Sequence, residues 1–353
     1  MNKNLKTNIV RFVAIILSLF ISSCAFANAV KVSGSGSSIA EPAMLMWTKN
    51  YQRQTGNQVS YVATGSGAGV DNLEKGNRSF ALTDMPYSQT ILDEHHWVQF
   101  PMMVSMVDIV YNLPGITKPL TLNGPVIADM YLGKIVWWDN PAIKQLNPEV
   151  NLPHKKIVLM YRSTESGTTY AFSHYLSEVS DKWTSIHDGT LKLIDMPANS
   201  VGERLSSQLA LSVKNVPYSI GYVSDRYAQN QHLAKAELVN HDGMTLSPSM
   251  LSAYAALVNI PESSQGMLTK VVNLPGTESW PILATTFMLV PEHTDNKATI
   301  SSILKFCSWV LVSGNKETLN LGYIPVPHSF RVQIRELWQF SFPKVKLDYN
   351  TFF

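Results

Sequence analysis

The chain is 353 residues long, with 28 basic and 26 acidic side chains and a formal charge of +2. Charge this balanced argues against nucleic acid and against a basic membrane-binding surface, so any positive potential has to be local. Of the two cysteines, Cys24 ends a leader-like segment, which leaves Cys307 without an internal disulfide partner.

Lys3, Lys6 and Arg11 precede an apolar run from Phe12 to Ile21, and small residues follow. The run is too short to span a membrane permanently and reads as an export signal. Ala25-Phe26-Ala27 offers a cleavage site that makes 1–27 the signal peptide and leaves Asn28 first; the overlapping Ala27-Asn28-Ala29 would leave Val30. Ile21-Ser-Ser-Cys24 is instead a loose lipobox, in which Cys24 carries lipid. A periplasmic location is expected, with lipid anchoring through Cys24 as the alternative. Loss of the three leader bases leaves 25 basic against 26 acidic residues. A mature chain of roughly 325 residues exceeds the usual single domain, so two lobes are expected.

Lys31-Val-Ser33 predicts a strand and Ala40–Gln54 a helix, with Met44, Trp47 and Tyr51 at helical spacing and a stop at Gly56. Gln58–Ala63 alternates as a strand, Val70–Lys75 is a short helix ended by Gly76, and Ser79–Thr83 is a strand reaching Asp84. This β-α-β-α-β rhythm implies a parallel sheet whose functional edge lies at the strand C-termini. The apolar run Met102–Tyr111 is long enough to leave one lobe and enter another, and Trp280–Val290 is a second such run. Residues 28–111 and 285–353 therefore form lobe I, and 112–284 form an inserted lobe II. Lobe II is predicted to hold helices at Val126–Leu132, from the Ser166 turn to about Glu178, and at Ser247–Val258 capped by Ser247, with strands Ile157–Tyr161 and Ser219–Val223. Helices near Lys297–Val312 and His328–Phe340 complete lobe I, and Cys307 and the eight Trp residues read as packing. Two lobes joined by two crossing strands are the layout of a clamp that closes on a ligand.

Three Ser/Gly turns lead into predicted helices: Gly34-Ser-Gly-Ser-Ser38, Thr64-Gly-Ser-Gly-Ala-Gly69 and Arg162-Ser-Thr-Glu-Ser-Gly-Thr168. Such turns aim backbone N–H groups and hydroxyls at one point, and the helix behind adds the positive end of its dipole. Ser38, Ser66 and Asp84 all follow predicted strands and share one edge. Each also has a purely structural account. Ser38-Ile-Ala-Glu41 fits a capping box, Ser66 a tight turn, and Asp84 before Met85-Pro86 a turn or cap. Arg162 with Ser166-Gly-Thr168 is the strongest cluster, because a guanidinium beside a helix N-terminus suits bidentate oxyanion binding. Asp93-Glu-His-His96 reads as the solvated end of a helix, and neither a metal nor a cofactor is expected. The Walker loop and the nucleophile elbow do not occur, so the turns point to a binder of a small oxyanion such as phosphate rather than to an enzyme.

These residues, in this order, resemble the phosphate-binding subunit of bacterial ABC phosphate importers, from about Val32 to Trp338. Tyr51-Gln-Arg-Gln-Thr-Gly-Asn57, Tyr131-Leu-Gly-Lys-Ile135 with Trp138-Asp139, Ile220-Gly-Tyr222 and Trp280-Pro-Ile282 carry the likeness beyond the turns. The resemblance implies an α/β class II periplasmic binding protein fold, two doubly wound lobes joined by two hinge strands, with phosphate between them. It also implies an ABC permease as partner, a monomer, and no catalysis or nucleic acid. Carried over residue by residue, it implies phosphate contacts from Ser38, the backbone N–H of Ile39, Ser66, Asp84, Arg162, Ser166, Gly167 and Thr168. Asp84, an acceptor when ionised, would demand a ligand that brings its own proton. Thr164 stands where relatives carry an Asp that braces the arginine, and Glu165 is expected to take over that brace. Ile39 replaces a usual Phe, and Asn199-Ser-Val-Gly-Glu-Arg204 replaces a Gly/Asn-rich segment. A surface-attached sensor and a phosphatase on the same scaffold are the rival readings.

Overall fold

The first described residues enter a parallel sheet, because Val32, Gly34 and Gly36 give a strand narrow enough to be packed on both sides. The computed structural model describes residues 32–187, 190–260, 267–293 and 297–345; the export signal, Cys24 and the cleavage sites lie outside them. Strand β1 (Val32–Gly36) pairs in parallel with β2 (Val59–Ala63) and β3 (Phe80–Thr83), and helices α1 (Glu41–Thr55) and α2 (Ser66–Glu74) make the crossovers. Helix α3 (Gln89–His95) leads into β4 (Trp97–Asn112). Then follow β5 (Thr121–Leu122), α4 (Gly124–Tyr131), α5 (Pro141–Leu146), β6 (Val158–Arg162), α6 (Gly167–Val179), α7 (Asp181–His187), β7 (Ser200–Glu203) and α8 (Ser206–Asn215). The chain continues through β8 (Ser219–Ser224), α9 (Asp225–Gln231), β9 (Ala234–Lys235), β10 (Glu237–Val239), β11 (Thr245–Leu246) and α10 (Met250–Val258). It closes with β12 (Leu283–Pro291), α11 (Lys297–Val312), α12 (Asn315–Asn320), β13 (Ile324–Pro325) and α13 (His328–Ser341).

The main sheet runs β2-β1-β3-β12-β4-β8-β6-β7, with β9 and β13 also pairing with β4, while β11, β10 and β5 form a small second sheet. Strand β4 serves both halves. Its residues 97–106 pair antiparallel with β12, and its residues 107–112 pair antiparallel with β8. Every β4 residue before Asn112 is buried, which is why the stretch reads as a long, mostly apolar run interrupted only by Gln99, Ser105 and Asp108. The second apolar run enters the sheet only at Leu283, beside Met106. Just before it, Trp280 Nε1 donates to the Val107 carbonyl at 3.2 Å and the Val107 N–H donates to the Ile282 carbonyl at 2.9 Å. Trp47, Trp138, Trp183, Trp280 and Trp338 are fully buried, as is Cys307, whose thiol is pushed up by that burial.

Two element starts differ from expectation. Helix α2 begins at Ser66 rather than near Val70, because its glycines are contacts rather than breakers: a Cβ at Gly69 would lie 2.2 Å from the Gly36 Cα. Helix α10 begins at Met250 with Ser249 as its N-cap, accepting from the Ser252 N–H at 3.1 Å. Ser247, expected in that role, instead donates to Glu237 at 2.7 Å.

A buried charge cluster sits where β4 changes partners. Asp108 is fully buried on β4, and Lys235 Nζ lies 3.6 Å from it but 2.8 Å from Asp225. One ammonium cannot neutralise two carboxylates, and no donor reaches hydrogen-bonding distance of the Asp108 oxygens among the described residues. Burial, then the charge of Asp225, hold the Asp108 carboxyl well above the usual carboxylate range. A raised folded-state pKa means that the unfolded chain releases this proton first. The stabilisation is therefore complete below the ordinary carboxylate pKa of about 4 and is lost as pH rises through the folded value. Asp108→Asn fixes the neutral form. Urea midpoints measured across pH are expected to fall less steeply above about pH 4 in this variant than in the wild type.

Candidate functional site

The turn after β1 is held by hydroxyls rather than by the expected capping box. Helix α1 starts at Glu41 with Ala40 as its N-cap and no side-chain cap. Ser37, not Ser38, ties the turn ahead of the helix, and its Oγ accepts from the N–H groups of Ile39 (3.1 Å) and Ala40 (3.3 Å). The N–H of Ile39, expected to face a ligand, is thus directed at Ser37, and the Ile39 side chain is buried in the main core. Three tyrosines hold the carbonyls of the same turn. Tyr61 donates to Ser37 O at 2.7 Å, Tyr227 to Ser38 O at 2.9 Å and Tyr323 to Ile39 O at 2.8 Å. With its backbone so fixed, Ser38 turns its hydroxyl toward the other half of the sheet.

There it meets Arg162. Arg162 is the last residue of β6 and is 1 % exposed. Its Nη1 lies 3.2 Å from Ser38 Oγ, 2.9 Å from Ser166 Oγ and 3.2 Å from Ser206 Oγ. Its Nε donates to the Arg204 carbonyl at 3.0 Å, Nη2 reaches the same oxygen, and Thr164 Oγ1 also donates to it at 3.1 Å. The brace is therefore a backbone carbonyl. Glu165, expected to brace the arginine, pairs with Lys192 at 2.7 Å. Ser166 caps α6, accepting from the Thr169 N–H at 3.3 Å, and Gly167 N donates across to Ser66 Oγ at 3.3 Å. Thr168 Oγ1 lies 3.4 Å from Ser206 Oγ.

Asp84 faces this cluster from the end of β3. Ser37 Oγ lies 2.6 and 2.8 Å from its two oxygens, Thr286 Oγ1 of β12 donates to it at 2.6 Å, and Ser66 Oγ lies 3.4 Å away. Burial pushes the carboxyl up to about 6, against the opposing hydrogen bonds from Ser37 and Thr286, the Arg162 charge and the Ser66 hydrogen bond. Burial also lowers the Arg162 guanidinium to about 10, which leaves it cationic at neutral pH. Ser38, Ser66, Asp84, Arg162, Ser166 and Thr168 are all buried, and the backbone groups of Ile39 and Gly167 border the same cluster. The structure brings every expected residue together, with Ile39 differing in where its N–H is aimed.

Sequence reasoning missed Ser37, Ser206, Thr286 and the three tyrosines. Ser206 opens helix α8, so the N-termini of α2, α6 and α8 and the turn before α1 converge on the cluster. Gln208, whose Oε1 accepts from the Leu205 N–H at 3.1 Å, was the one local signal for that helix start. Closure also depends on a missing side chain, since a Cβ at Gly167 would lie 2.3 Å from the Asp84 Cβ and 2.8 Å from its Cα. Gly167→Ala is expected to keep the fold but hold the two halves apart. It should lower phosphate affinity at least tenfold, about 1.4 kcal/mol, by calorimetric titration.

The family model of the PBP superfamily domain matches residues 25–313. The phosphate-binding protein PstS of Pasteurella multocida is 35% identical over 329 residues, covering 92% of this chain and 95% of its own. The PstS protein of Haemophilus influenzae is 34% identical over 326 residues, covering 91% and 96%. Among solved structures, the periplasmic phosphate-binding protein PfluDING, bound with phosphate, superposes with a TM-score of 0.67 at 18% identity over 87% of this chain and 93% of that one. The shared architecture is the two-lobed α/β fold described above. On the strength of the family match and of these relatives, the chain belongs to the PBP superfamily and, within it, to the PstS family of phosphate-binding proteins.

Proposed function

We propose that this protein binds inorganic phosphate between its two lobes and delivers it to an ABC permease in the inner membrane, without chemistry on the ligand. The observation that carries the reading is Asp84, a buried acceptor held by hydroxyls and set against a buried guanidinium and several helix N-termini. The proposed contacts are Ser38, Ser66, Asp84, Arg162, Ser166, Gly167 and Thr168, together with Ser206, which shares the Arg162 Nη1 group. The N–H of Ile39 joins these contacts on release from Ser37 Oγ, which already holds Asp84. The Arg204 carbonyl orients Arg162 without neutralising it, so the full charge faces the anion.

The lobes are assigned to 28–111 with 285–353, and to 112–284. The change of β4 partner between Met106 and Val107, five residues before that boundary, supports a division into two lobes. Because the site is buried, phosphate enters when the lobes part about β4 and the Trp280–Ile282 crossing, and the leader-like segment supports a periplasmic setting for this cycle, free or anchored through Cys24.

Selectivity follows from proton inventory. Phosphate at neutral pH carries a proton to donate to an ionised Asp84, and sulfate carries none, so sulfate meets repulsion. With its carboxyl near 6, Asp84 becomes a donor in mild acid and the exclusion fades. Calorimetry on protein stripped of ligand by unfolding and refolding is expected to show one-to-one phosphate binding and no sulfate response at about pH 8, with sulfate binding emerging at about pH 5. Asp84→Asn should admit sulfate at both. Sulfate rejection that ignores both pH and this substitution would remove Asp84 from the role, and a folded protein that ignores phosphate would end the whole reading.

A further inference from the structure

Away from the anion site, two distant chain segments bring a histidine pair and a carboxylate together. Helix α3 ends at His95, and its C-cap His96 adopts a left-handed conformation with φ 52° and turns the chain into β4. At the other end of the neighbouring strand, β12 runs out into Glu292 and His293. The β4–β12 ladder closes with Trp97 opposite Pro291, and one further bond continues it: the Glu292 N–H donates to the His96 carbonyl at 2.7 Å. That bond fixes the backbones that carry the three side chains. Their ligand atoms all lie within 4.8 Å of one another, and the two imidazole rings are 5.7 Å apart, centre to centre.

We propose that His96, Glu292 and His293 form a binding site for a divalent transition metal, with zinc as the fitting ion. Two imidazole nitrogens and a carboxylate oxygen form a donor set that zinc accepts as three ligands of a tetrahedron, with water as the fourth. At zinc–ligand distances of about 2.0–2.2 Å the donors stand roughly 3.3 Å apart, so rotamer adjustment of two exposed histidines on a fixed backbone closes the gap. Calcium and magnesium, which prefer several oxygen ligands, find only one carboxylate here. Sequence spacing could not reveal the site, because its members are joined by strand pairing and not by a local motif. Thr286, which holds Asp84, and Glu292 are six residues apart on or beyond β12, about 20 Å at roughly 3.3 Å per residue, so the ion would tie the outer ends of two central strands without touching the anion.

The test is titration of zinc chloride into the untagged protein in phosphate-free buffer, followed by cobalt substitution read by visible absorption. One equivalent of zinc at micromolar affinity and a tetrahedral cobalt spectrum are expected. His96→Asn, which retains a residue suited to the left-handed conformation, and His293→Ala should each weaken zinc binding at least tenfold. His154→Ala, at the exposed pair with Asp139, should leave it unchanged. Phosphate titration of the same variants should match the wild type and verify their folding. Absence of zinc uptake by the wild type, or equal uptake by the His96 and His293 variants, would overturn the proposal.

Discussion

Arg162 and Asp84 are both taken out of water, 1 % and 3 % exposed, where the two halves of the sheet meet, and much of the surrounding architecture answers to that cost. Removing a single ion from water costs several kcal/mol even after relaxation, and a buried charge persists only where hydrogen bonds and dipoles replace its hydration. Asp84 receives hydroxyls from Ser37 and Thr286, and Arg162 finds the Arg204 carbonyl and the oxygens of Ser166, Ser38 and Ser206. The two charges are not in direct contact. Their separation keeps the acceptor and the cation available to different oxygens of one anion, and the helix N-termini add fixed positive dipole without further charge. The tyrosines complete the arrangement by binding the carbonyls of the 37–39 turn, which keeps those oxygens away from an incoming anion.

Strand β4 turns this local balance into a moving part. It pairs with β12 in one half and with β8 in the other, so the halves can move about a continuous strand while each keeps its own ladder. Several bonds that close the site cross between these halves. They include Arg162 to Ser38, Gly167 to Ser66 and Tyr227 to Ser38. The two neutral bonds are worth about 0.5–1.5 kcal/mol net each and the one from the Arg162 cation about 1.5–3 kcal/mol, amounts a bound anion can supplement. The Asp108–Asp225–Lys235 cluster lies at the same change of partner and makes the region sensitive to protonation for its own structural reasons.

Helical and strand periodicity in the sequence located most elements. Lys297–Val312 was legible to its C-terminal end, since its apolar face is long and regular, and the start of α13 at His328 was equally plain. The Ser/Gly turns were legible as candidate anion sites because they gather N–H groups and hydroxyls ahead of helices, although the same residue types also serve as N-caps. The early start of α2 was not, because glycine reads as a helix breaker until Gly69 is seen against Gly36. Nor was Ser37 distinguishable from Ser38: a one-residue shift along a turn leaves the composition unchanged but reverses which hydroxyl ties the turn and which meets Arg162.

The sequence by itself determined the α/β class, the crossing strands and most of the residues proposed to hold an oxyanion, because these depend on periodicity, turn chemistry and charge, all local properties of a chain. Only the tertiary structure decided what those residues hold. It gave Arg162 a carbonyl brace in place of Glu165, gave Asp84 the hydroxyl of Thr286 from a strand more than half the chain away, and placed Ser206 in the cluster. Such pairings are set by which strands lie side by side, and distances of about 3 Å between residues remote in the chain leave no trace in local spacing.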